Sequence, residues 1–260
     1  MENHTGSKTY IGCAGWSLPK QWMCEFTGTG THLERYASRF NAVEINSSFY
    51  RPHQHKTYAR WSESVPETFR FSVKIPKAVT HTARLLTTSD VIRKFVEEVS
   101  GLGVKLGCWL VQLPPSLRFE VSIAKEFFEL FREEANARCS SIVCEPRHAS
   151  WFEPMADEFF RECSIARVAA DPAVVPAARL PGGTPRPVYV RLHGSPRMYY
   201  SAYTETQISQ TALKLTQYEA ESRDAWCIFD NTAEGAAIDN GLQLVRELRE
   251  KHSQDNYCMQ

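Results

Sequence analysis

The stretch VEINSSFYR, residues 43–51, begins as a strand and ends in a cluster of hydrogen-bonding side chains. Val43 and Ile45 alternate with Glu44, which is the period-two pattern of a β-strand. Asn46 and two serines follow at the point where this strand should end. A carboxylate inside a short apolar strand is costly unless it is paired. The stretch therefore predicts a strand that delivers polar groups to a shared site.

Similar short runs, rich in Val, Ile, Phe, Tyr and Trp, recur along the chain. They predict strands at residues 10–16, 42–47, 69–76, 106–114, 141–146, 164–171, 188–194 and 225–231. Apolar residues at helical spacing predict helices between them, as at 89–103, 123–137 and 236–251. Eight strand–helix alternations predict an α/β fold, a (β/α)8 TIM barrel in a single domain. A doubly wound open sheet is the alternative.

Local signals divide the chain further. Ser89 or Asp90 is the predicted N-cap of the helix in 89–103, and Gly101 its stop. Five prolines and two adjacent glycines predict a long loop over 171–187. Residues 1–9 are polar and predict a disordered leader before a barrel over 10–252, with a flexible tail over 253–260.

Net charge, apolar runs and cysteine usage indicate which partners and which cellular location to expect. Thirty basic residues balance thirty acidic ones, so net charge gives no argument for nucleic acid or membrane. No apolar run is long enough to span a bilayer, which predicts no membrane partner. The eight cysteines contain no CxxC pair, and several lie in apolar strands. We therefore predict reduced thiols and a cytoplasmic location.

Polar side chains recur at the carboxyl ends of the predicted strands, where the active sites of such barrels lie. We predict that they converge around one opening. In chain order they are Glu44, Asn46, Lys74, His81, Gln112, Glu145, Arg147, Asp171, Arg191, His193, Asp230 and Asn231. The alternative is a hydrogen-bond network that only plugs the barrel mouth.

Residue chemistry suggests roles within this set. Arginine and lysine are suited to a phosphate or carboxylate, so Lys74, Arg147 and Arg191 predict an anion site. Glu44 and Glu145 could face each other as an acid–base pair, with His193 as a proton shuttle. Aromatic residues of the loops, among them Trp16 and Tyr50, could stack on a sugar or base.

Metal and cofactor motifs are not found in the sequence. There is no HExxH motif, P-loop or dinucleotide fingerprint, and the cations among the site residues repel a metal ion. We predict no metal site and no organic cofactor. A single divalent ion on two or three of the acidic or histidine residues is the alternative.

Six blocks of sequence, in order, resemble the DUF72 or YecE-like family: VEINSSFYR, FSVKIPKAVTH, LVQLPPSL, EPRHASW, VRLHG and FDNTAEGAAIDN. The resemblance covers residues 10 to 248 and implies a TIM barrel of unsettled function. Similarity to endonuclease IV-type barrels has suggested a DNA-related role for the family. Two departures stand out: Asp230-Asn231 replaces an Asn-Asn pair, and Asn240-Gly241 replaces Asn-Ala.

Three hypotheses follow. The first is an enzyme, a hydrolase or lyase, that uses acid–base chemistry on an anionic substrate of phosphorylated sugar-like or nucleotide-like character. The second is a nucleic-acid-binding or processing protein, and the third is a non-catalytic ligand-binding protein. The sequence leaves the oligomeric state open.

Overall fold

The computed structural model describes residues 8–26, 28–135, 140–221 and 223–258. The strands in chain order are β1 (Thr9–Cys13), β2 (Ala42–Ile45), β3 (Arg70–Lys74), β4 (Leu106–Gln112), β5 (Ser141–Glu145), β6 (Ala166–Arg167), β7 (Ala169–Asp171), β8 (Gly182–Gly183), β9 (Val188–Leu192) and β10 (Ala225–Phe229). The α-helices are α1 (His32–Tyr36), α2 (Ser47–Tyr50), α3 (His55–Glu63), α4 (Ser89–Val99), α5 (Val121–Ala135), α6 (Pro154–Glu162), α7 (Glu205–Ala220) and α8 (Ala236–Cys258).

The strands form two parallel runs that together close a barrel. One run is β2-β3-β4-β5-β6 and the other is β7-β9-β10-β1, while the short β8 pairs antiparallel with β6. Strands β6 and β7 are two parts of one barrel position, interrupted at Val168, whose N–H still donates to Cys144 at 2.8 Å. The predicted (β/α)8 barrel in a single domain is confirmed.

The seam between β1 and β2 depends on side chains. The backbone pairing between the described strands β1 and β2 is limited to an isolated parallel bridge between Ala14 and Glu44. The Tyr36 hydroxyl accepts a hydrogen bond from the Cys13 N–H at 2.7 Å and donates one to the carbonyl of Ala42 at 3.0 Å.

Two further residues of the seam complete this contact. The amide of Asn41 bonds with the backbone of β1 through both its oxygen and its nitrogen. A Cβ at Gly12 would lie 2.0 Å from the Ala42 oxygen, so glycine is required for this close approach. The first and second strands are therefore joined mainly through Tyr36 and Asn41.

Side chains alternate across each strand, which separates the barrel interior from the helix-facing core. The lower interior is apolar and is filled by Ala42, Cys108, Leu110, Val143, Ala166, Val168, Tyr189, Trp226 and Ile228. Moving along β9 in steps of two, Tyr189 is followed by Arg191 and then by His193. The same alternation places Lys74 two residues beyond Ser72 on β3. Charged side chains therefore occupy the carboxyl end of the interior.

One local prediction was wrong and two were confirmed. The N-cap of α4 is Thr88, whose side chain makes no capping hydrogen bond, and the predicted cap Ser89 is the first helical residue, with its hydroxyl bound to Glu134 and Arg93. The predicted stop at Gly101 is confirmed, because α4 ends at Val99 with Ser100 as its C-cap, and a 3-10 helix over Ser100–Lys105 follows. The described segment 171–187 has no α-helix, as predicted, and holds only a 3-10 turn at Pro176–Arg179 and the two-residue strand β8.

The predicted ends of the barrel also differ from the structure. Helix α8 continues past residue 252, where we expected a flexible tail, and runs to Cys258. Strand β1 begins at Thr9, within the predicted leader, while residues 1–7 lie outside the described part of the chain. Among the described helices, none combines the length and the apolar composition that a membrane span requires.

Candidate functional site

Arg191 lies at the centre of a charge network inside the barrel mouth. Its Nε and Nη2 donate to the two oxygens of Glu44 at 3.0 and 2.7 Å. Its Nη1 donates to Glu145 and its Nη2 also donates to Asp230 at 2.9 Å. Arg191 and Glu44 are fully buried, and Glu145 is nearly so. The strands β2, β5, β9 and β10 are thus connected by one guanidinium group.

Burial and ion pairing oppose each other in this network. Burial disfavours the charge of Arg191, but Glu44, Glu145 and Asp230 together hold the pKa of Arg191 well above its usual value. Burial likewise tends to raise the pKa of Glu145, but Arg191, His193 and Arg147 outweigh it and hold that pKa well below the usual range. Glu145 is therefore ionised at neutral pH.

His193 lies between two of the same carboxylates. Its Nδ1 is 3.0 Å from an oxygen of Asp230, and its Nε2 is 3.2 Å from an oxygen of Glu145. Burial favours the neutral ring and Arg191 repels the charged one, but the two carboxylates dominate and the pKa of His193 is raised. Both ring nitrogens can donate only in the imidazolium form, which this arrangement stabilises.

Two residues beneath the network were missed by the sequence analysis. The Tyr189 hydroxyl is 2.9 Å from Glu44 and 2.8 Å from the hydroxyl of Ser72. The period-two pattern of VYVRLHG could have indicated Tyr189, because it places Tyr189, Arg191 and His193 on one face. The same pattern in FRFSVK places Ser72 and Lys74 together.

Lys74 lies beside the network without joining it. The side chain is 8% exposed, and its Nζ is 4.2 Å from the centre of the Phe49 ring. Within the described residues it makes no hydrogen bond and no ion pair through that nitrogen. Burial, followed by repulsion from Arg191, lowers the pKa of Lys74 to about 8, and Glu44, Glu145 and Asp230 only partly oppose this.

Arg147 lies above Glu145, on the solvent side of the network. Its Nε donates to Glu145 at 2.9 Å and its Nη1 donates to the hydroxyl of Tyr199 at 3.2 Å. The side chain of Arg147 is 18% exposed, so the guanidinium is accessible from the mouth. His81 packs edge-on against the Phe49 ring at 4.9 Å. Its pKa is lowered by burial and then by Lys74, Arg147 and Lys77.

Asn46 and Gln112 border this group. The Asn46 Nδ2 donates weakly to Asp230 at 3.4 Å, and the buried side-chain oxygen of Asn46 has no hydrogen-bond partner among the described residues. The Gln112 amide donates to the carbonyl of Leu113 at 3.3 Å, and its backbone pairs in register with Glu145. Both residues therefore lie at the mouth, but neither holds one of the cations.

Asp171 and Asn231 do not join the network. Asp171 accepts a hydrogen bond from the Tyr203 hydroxyl at 2.8 Å. Asn231 donates to the side chain of Asn240 at 3.0 Å and to the carbonyl of Ser201 at 3.1 Å. Strand alternation explains both: Asp230 faces the interior, so Asn231 faces outward to α8, and Asp171 faces the segment before α7. These two residues secure the loops around α7 and α8.

The two predicted stacking residues also differ from each other. Trp16 is half-buried and packs edge-on against Trp61 of α3, with ring centres 4.9 Å apart. Tyr50 is 81% exposed at the end of α2, where its ring contacts Phe49. Trp16 is thus part of the loop packing, while Tyr50 is available to solvent.

No cluster of three or more His, Cys, Asp or Glu residues in the described ranges has the arrangement of a metal site. In the network the three carboxylates surround Arg191, which occupies the position where a cation would otherwise bind. Cys13, Cys24, Cys108, Cys144, Cys163 and Cys227 are free thiols.

Fold and site together define a (β/α)8 barrel with a buried, arginine-centred charge network at its carboxyl mouth. A family model described as "Protein of unknown function DUF72" matches residues 10–258 of this chain. The chain belongs to the DUF72 family, as the sequence blocks indicated.

Two curated relatives carry UPF0759 names. The chain is 30% identical over 176 residues to the UPF0759 protein YecE of Escherichia coli K12. This match covers 65% of the chain and 61% of YecE, so the chain spans less than two thirds of that relative. The UPF0759 protein YunF of Bacillus subtilis is 25% identical, with 94% of this chain and 96% of YunF covered.

Solved structures show the same fold. A DUF72 family protein from Thermotoga maritima has a TM-score of 0.75 at 23% identity, with 93% of this chain and 99% of that chain covered. A sugar phosphate isomerase/epimerase from Parabacteroides distasonis has a TM-score of 0.53 at 11% identity, with 94% and 96% covered. At these identities the likeness concerns the fold alone.

Proposed function

We propose that this protein is an enzyme that binds an anionic, phosphorylated sugar-like or nucleotide-like substrate at the carboxyl mouth of the barrel. The observation that carries the proposal is the balance of charge around Arg191. Glu44, Glu145 and Asp230 are all engaged by Arg191, and Lys74 remains without an ion-pair partner in the described part of the chain. A cation without a partner, beside carboxylates that already bind Arg191, favours an anionic ligand.

Further positive charge surrounds the same position. Arg147 is partly accessible, and Lys77 is exposed in the segment that follows β3. His193, with its raised pKa, adds charge when it is protonated. With His193 protonated, the cations of the mouth outnumber its carboxylates. A phosphate entering the mouth would meet Arg147 and Lys74 without displacing a carboxylate.

The geometry favours a change in the acid–base roles expected from the sequence. Glu44 and Glu145 do not face each other across a gap, because the guanidinium of Arg191 lies between them. Glu145, with its lowered pKa, is a poor general acid. We assign the proton-handling roles to His193 and Lys74, and the role of positioning Arg191 and His193 to the two glutamates.

Tyrosines at the rim are compatible with a sugar or base attached to the anion. Tyr50, Tyr199 and Tyr200 are exposed, and the Arg197 guanidinium lies 3.8 Å from the centre of the Tyr200 ring. Aromatic faces of this kind stack on sugars and nucleobases. The cytoplasmic location predicted from the cysteines suits a metabolite of this class.

Thermal unfolding in the presence of anions tests the proposal. We expect inorganic phosphate, ribose 5-phosphate or glucose 6-phosphate to raise the melting temperature of the wild type in a saturable manner. Arg147→Ala should weaken this binding by about tenfold, since one charge-assisted contact is lost. Arg132→Ala, on the exposed side of α5, is the matched control and should bind as the wild type does. If none of the three anions stabilises the wild type, the proposal is wrong.

The exposed tyrosines and Arg197 also favour a second candidate, binding of single-stranded nucleic acid. Fluorescence anisotropy with a short single-stranded DNA at two salt concentrations separates the two functions. Nucleic-acid binding requires an affinity that falls steeply with salt. Anion-dependent stabilisation without DNA binding would support the metabolite enzyme. If a stabilising anion is never turned over, the protein is instead a non-catalytic binder.

A further inference from the structure

The amine of Lys74 has the surroundings of a nucleophile. It projects from β3 into the barrel interior, one interior position above Ser72, and the residue is only 8% exposed. A buried ammonium usually has a carboxylate partner, because an unpaired charge is costly away from water. Lys74 has none among the described residues, although three carboxylates lie in the same mouth.

The reason is that those carboxylates are already engaged. Arg191 holds Glu44 through two hydrogen bonds and also binds Glu145 and Asp230. The remaining oxygen of Glu145 faces Arg147 and His193. Each of the three carboxylates is bound by Arg191, the second oxygen of Asp230 accepts only the 3.4 Å bond from Asn46 within the described chain, and Arg191 itself repels the ammonium of Lys74.

The other buried lysine of the described chain shows the contrast. Lys105 donates to the carbonyls of Ser62 and Val65 at 2.7 and 2.8 Å and lies 3.2 Å from Glu67. Its charge is therefore satisfied, as expected for a structural lysine. Lys74 instead has the face of the Phe49 ring at 4.2 Å.

We infer that Lys74 is a covalent nucleophile, forming an imine with the carbonyl group of an aldehyde or ketone substrate that also carries an anionic group. This inference rests on the proposed function and narrows its substrate class. Desolvation beside a second cation is a known way to make a lysine amine reactive near neutral pH. The pKa of about 8, set by burial and Arg191, is consistent with a partly neutral amine.

The step balances without an oxidant or reductant. The neutral amine of Lys74 attacks the carbonyl carbon, a C–N bond forms as the C=O π bond breaks, and one proton passes from the nitrogen to the oxygen, which gives a neutral carbinolamine. That hydroxyl leaves as water with one further proton, and the nitrogen keeps a positive charge as an iminium. The iminium withdraws electrons from the adjacent carbon, which eases removal of a proton or cleavage of a bond there.

The thiol at this end of β1 is not an alternative nucleophile. Burial raises the pKa of Cys13 to about 12, and its Sγ contacts the carbonyl of Ala237 at 3.4 Å. A thiol of this kind is protonated at neutral pH and unreactive.

Lys77 is exposed in the segment after β3, so it provides the matched control for surface amines.

Reductive trapping tests the inference. The full chain is incubated with glycolaldehyde phosphate, then with borohydride, and the adduct is located by peptide mass spectrometry. We expect Lys74 to be labelled at least about tenfold more than Lys77, and inorganic phosphate to suppress the label at Lys74. Neutral glycolaldehyde should label Lys74 more weakly. The yield of the Lys74 adduct should increase as pH rises through about 8, because the neutral amine is the reactive form. The charged or titratable groups around Lys74 are Arg191, Glu44, Glu145, Asp230 and His81.

The outcomes separate the two proposals. If phosphate stabilises the protein but Lys74 is labelled no more than Lys77, the imine inference is wrong and the anion site stands. If neutral glycolaldehyde labels Lys74 as strongly as glycolaldehyde phosphate does, the result supports Lys74 as a nucleophile but contradicts an anionic substrate. Lys74→Arg keeps the charge, so it should keep the stabilisation by phosphate and lose the adduct. Because the adduct is located on the wild type, the test does not depend on the folding of that variant.

Discussion

Arg191 and Glu44 connect opposite sides of the barrel, from β9 to β2, through two hydrogen bonds of 3.0 and 2.7 Å between fully buried groups. They are 147 positions apart in the sequence. A bidentate pair of this kind fixes the distance and orientation of the strands that carry it. The functional groups of the mouth are therefore held in a rigid frame before any ligand binds.

Replacing Glu44 by glutamine should destabilise the protein strongly. The variant leaves part of the Arg191 charge uncompensated inside the barrel, and breaking a buried pair in this way costs about 3 kcal/mol or more. Urea unfolding of Glu44→Gln should show this loss. Glu97→Gln, at an exposed position of α4, removes the same charge and should unfold within about 0.5 kcal/mol of the wild type. Equal stability of the two variants would contradict the buried network.

The charge of His193 should make stability depend on pH. Because its pKa in the folded state is raised, its contribution is fully present below the unfolded value of about 6.5 and is lost as pH rises through the folded pKa. The stability difference between the wild type and His193→Gln should therefore narrow as pH rises above the unfolded pKa of about 6.5. His55→Gln, at the exposed start of α3, is the control. A difference that widens with pH would show that the neutral ring is preferred.

Removing the amine of Lys74 should stabilise the fold. The interval between the ordinary pKa of 10.5 and the folded value of about 8 corresponds to about 3 kcal/mol of penalty for the charged form. We expect Lys74→Met to gain about 1–3 kcal/mol at pH 7, because the Phe49 contact that it loses is weaker than this penalty.

The sign of the pH effect provides a check on that gain. A lowered folded pKa means that the penalty is complete below about 8 and fades as pH approaches the unfolded value near 10.5. The advantage of Lys74→Met over the wild type should shrink when urea unfolding is repeated at about pH 9.5. Lys77→Met should show neither effect. If Lys74→Met is less stable than the wild type at neutral pH, Lys74 has a partner and the reactive-amine inference loses its basis.

Tyr36→Phe tests the seam between β1 and β2. The variant keeps the ring but leaves the Cys13 N–H and the Ala42 carbonyl without the hydroxyl that joins them. Two buried groups without partners should cost about 2–4 kcal/mol in denaturant unfolding. The Tyr218 hydroxyl makes no hydrogen bond in the described part of the chain, so Tyr218→Phe should be nearly neutral. A mild Tyr36→Phe variant would mean that water or backbone movement restores the seam.

The barrel could be predicted from the sequence because its signals are local. Strand β2, for example, is readable from Val43 and Ile45, and each later strand repeats the pattern. Details that depend on distant contacts could not be read in this way. The Ser89 hydroxyl, for example, donates to Glu134, which lies 45 positions away in the sequence, and does not cap the helix.

The candidate site was only partly predictable, for a related reason. Position at the end of a strand identified Arg191, Glu44, Glu145 and His193 as neighbours. Whether a side chain faces the interior depends on strand register, and one step separates Asp230, inside the mouth, from Asn231, outside it. Sequence spacing does not give the atomic distances between side chains. It therefore could not show that Arg191 would bind the carboxylates and that Lys74 would be left without a partner.

The seam at Tyr36 and Asn41 has a consequence for reading the evolution of this barrel. Elsewhere neighbouring strands pair through the backbone, but closure of the first strand on the second depends on the side chains of Tyr36 and Asn41 and on the absence of a side chain at Gly12. Substitution there should be as restricted as at a reacting group. Strict conservation of these three positions among related proteins would therefore reflect a structural role in closing the barrel and should not be interpreted as a catalytic role.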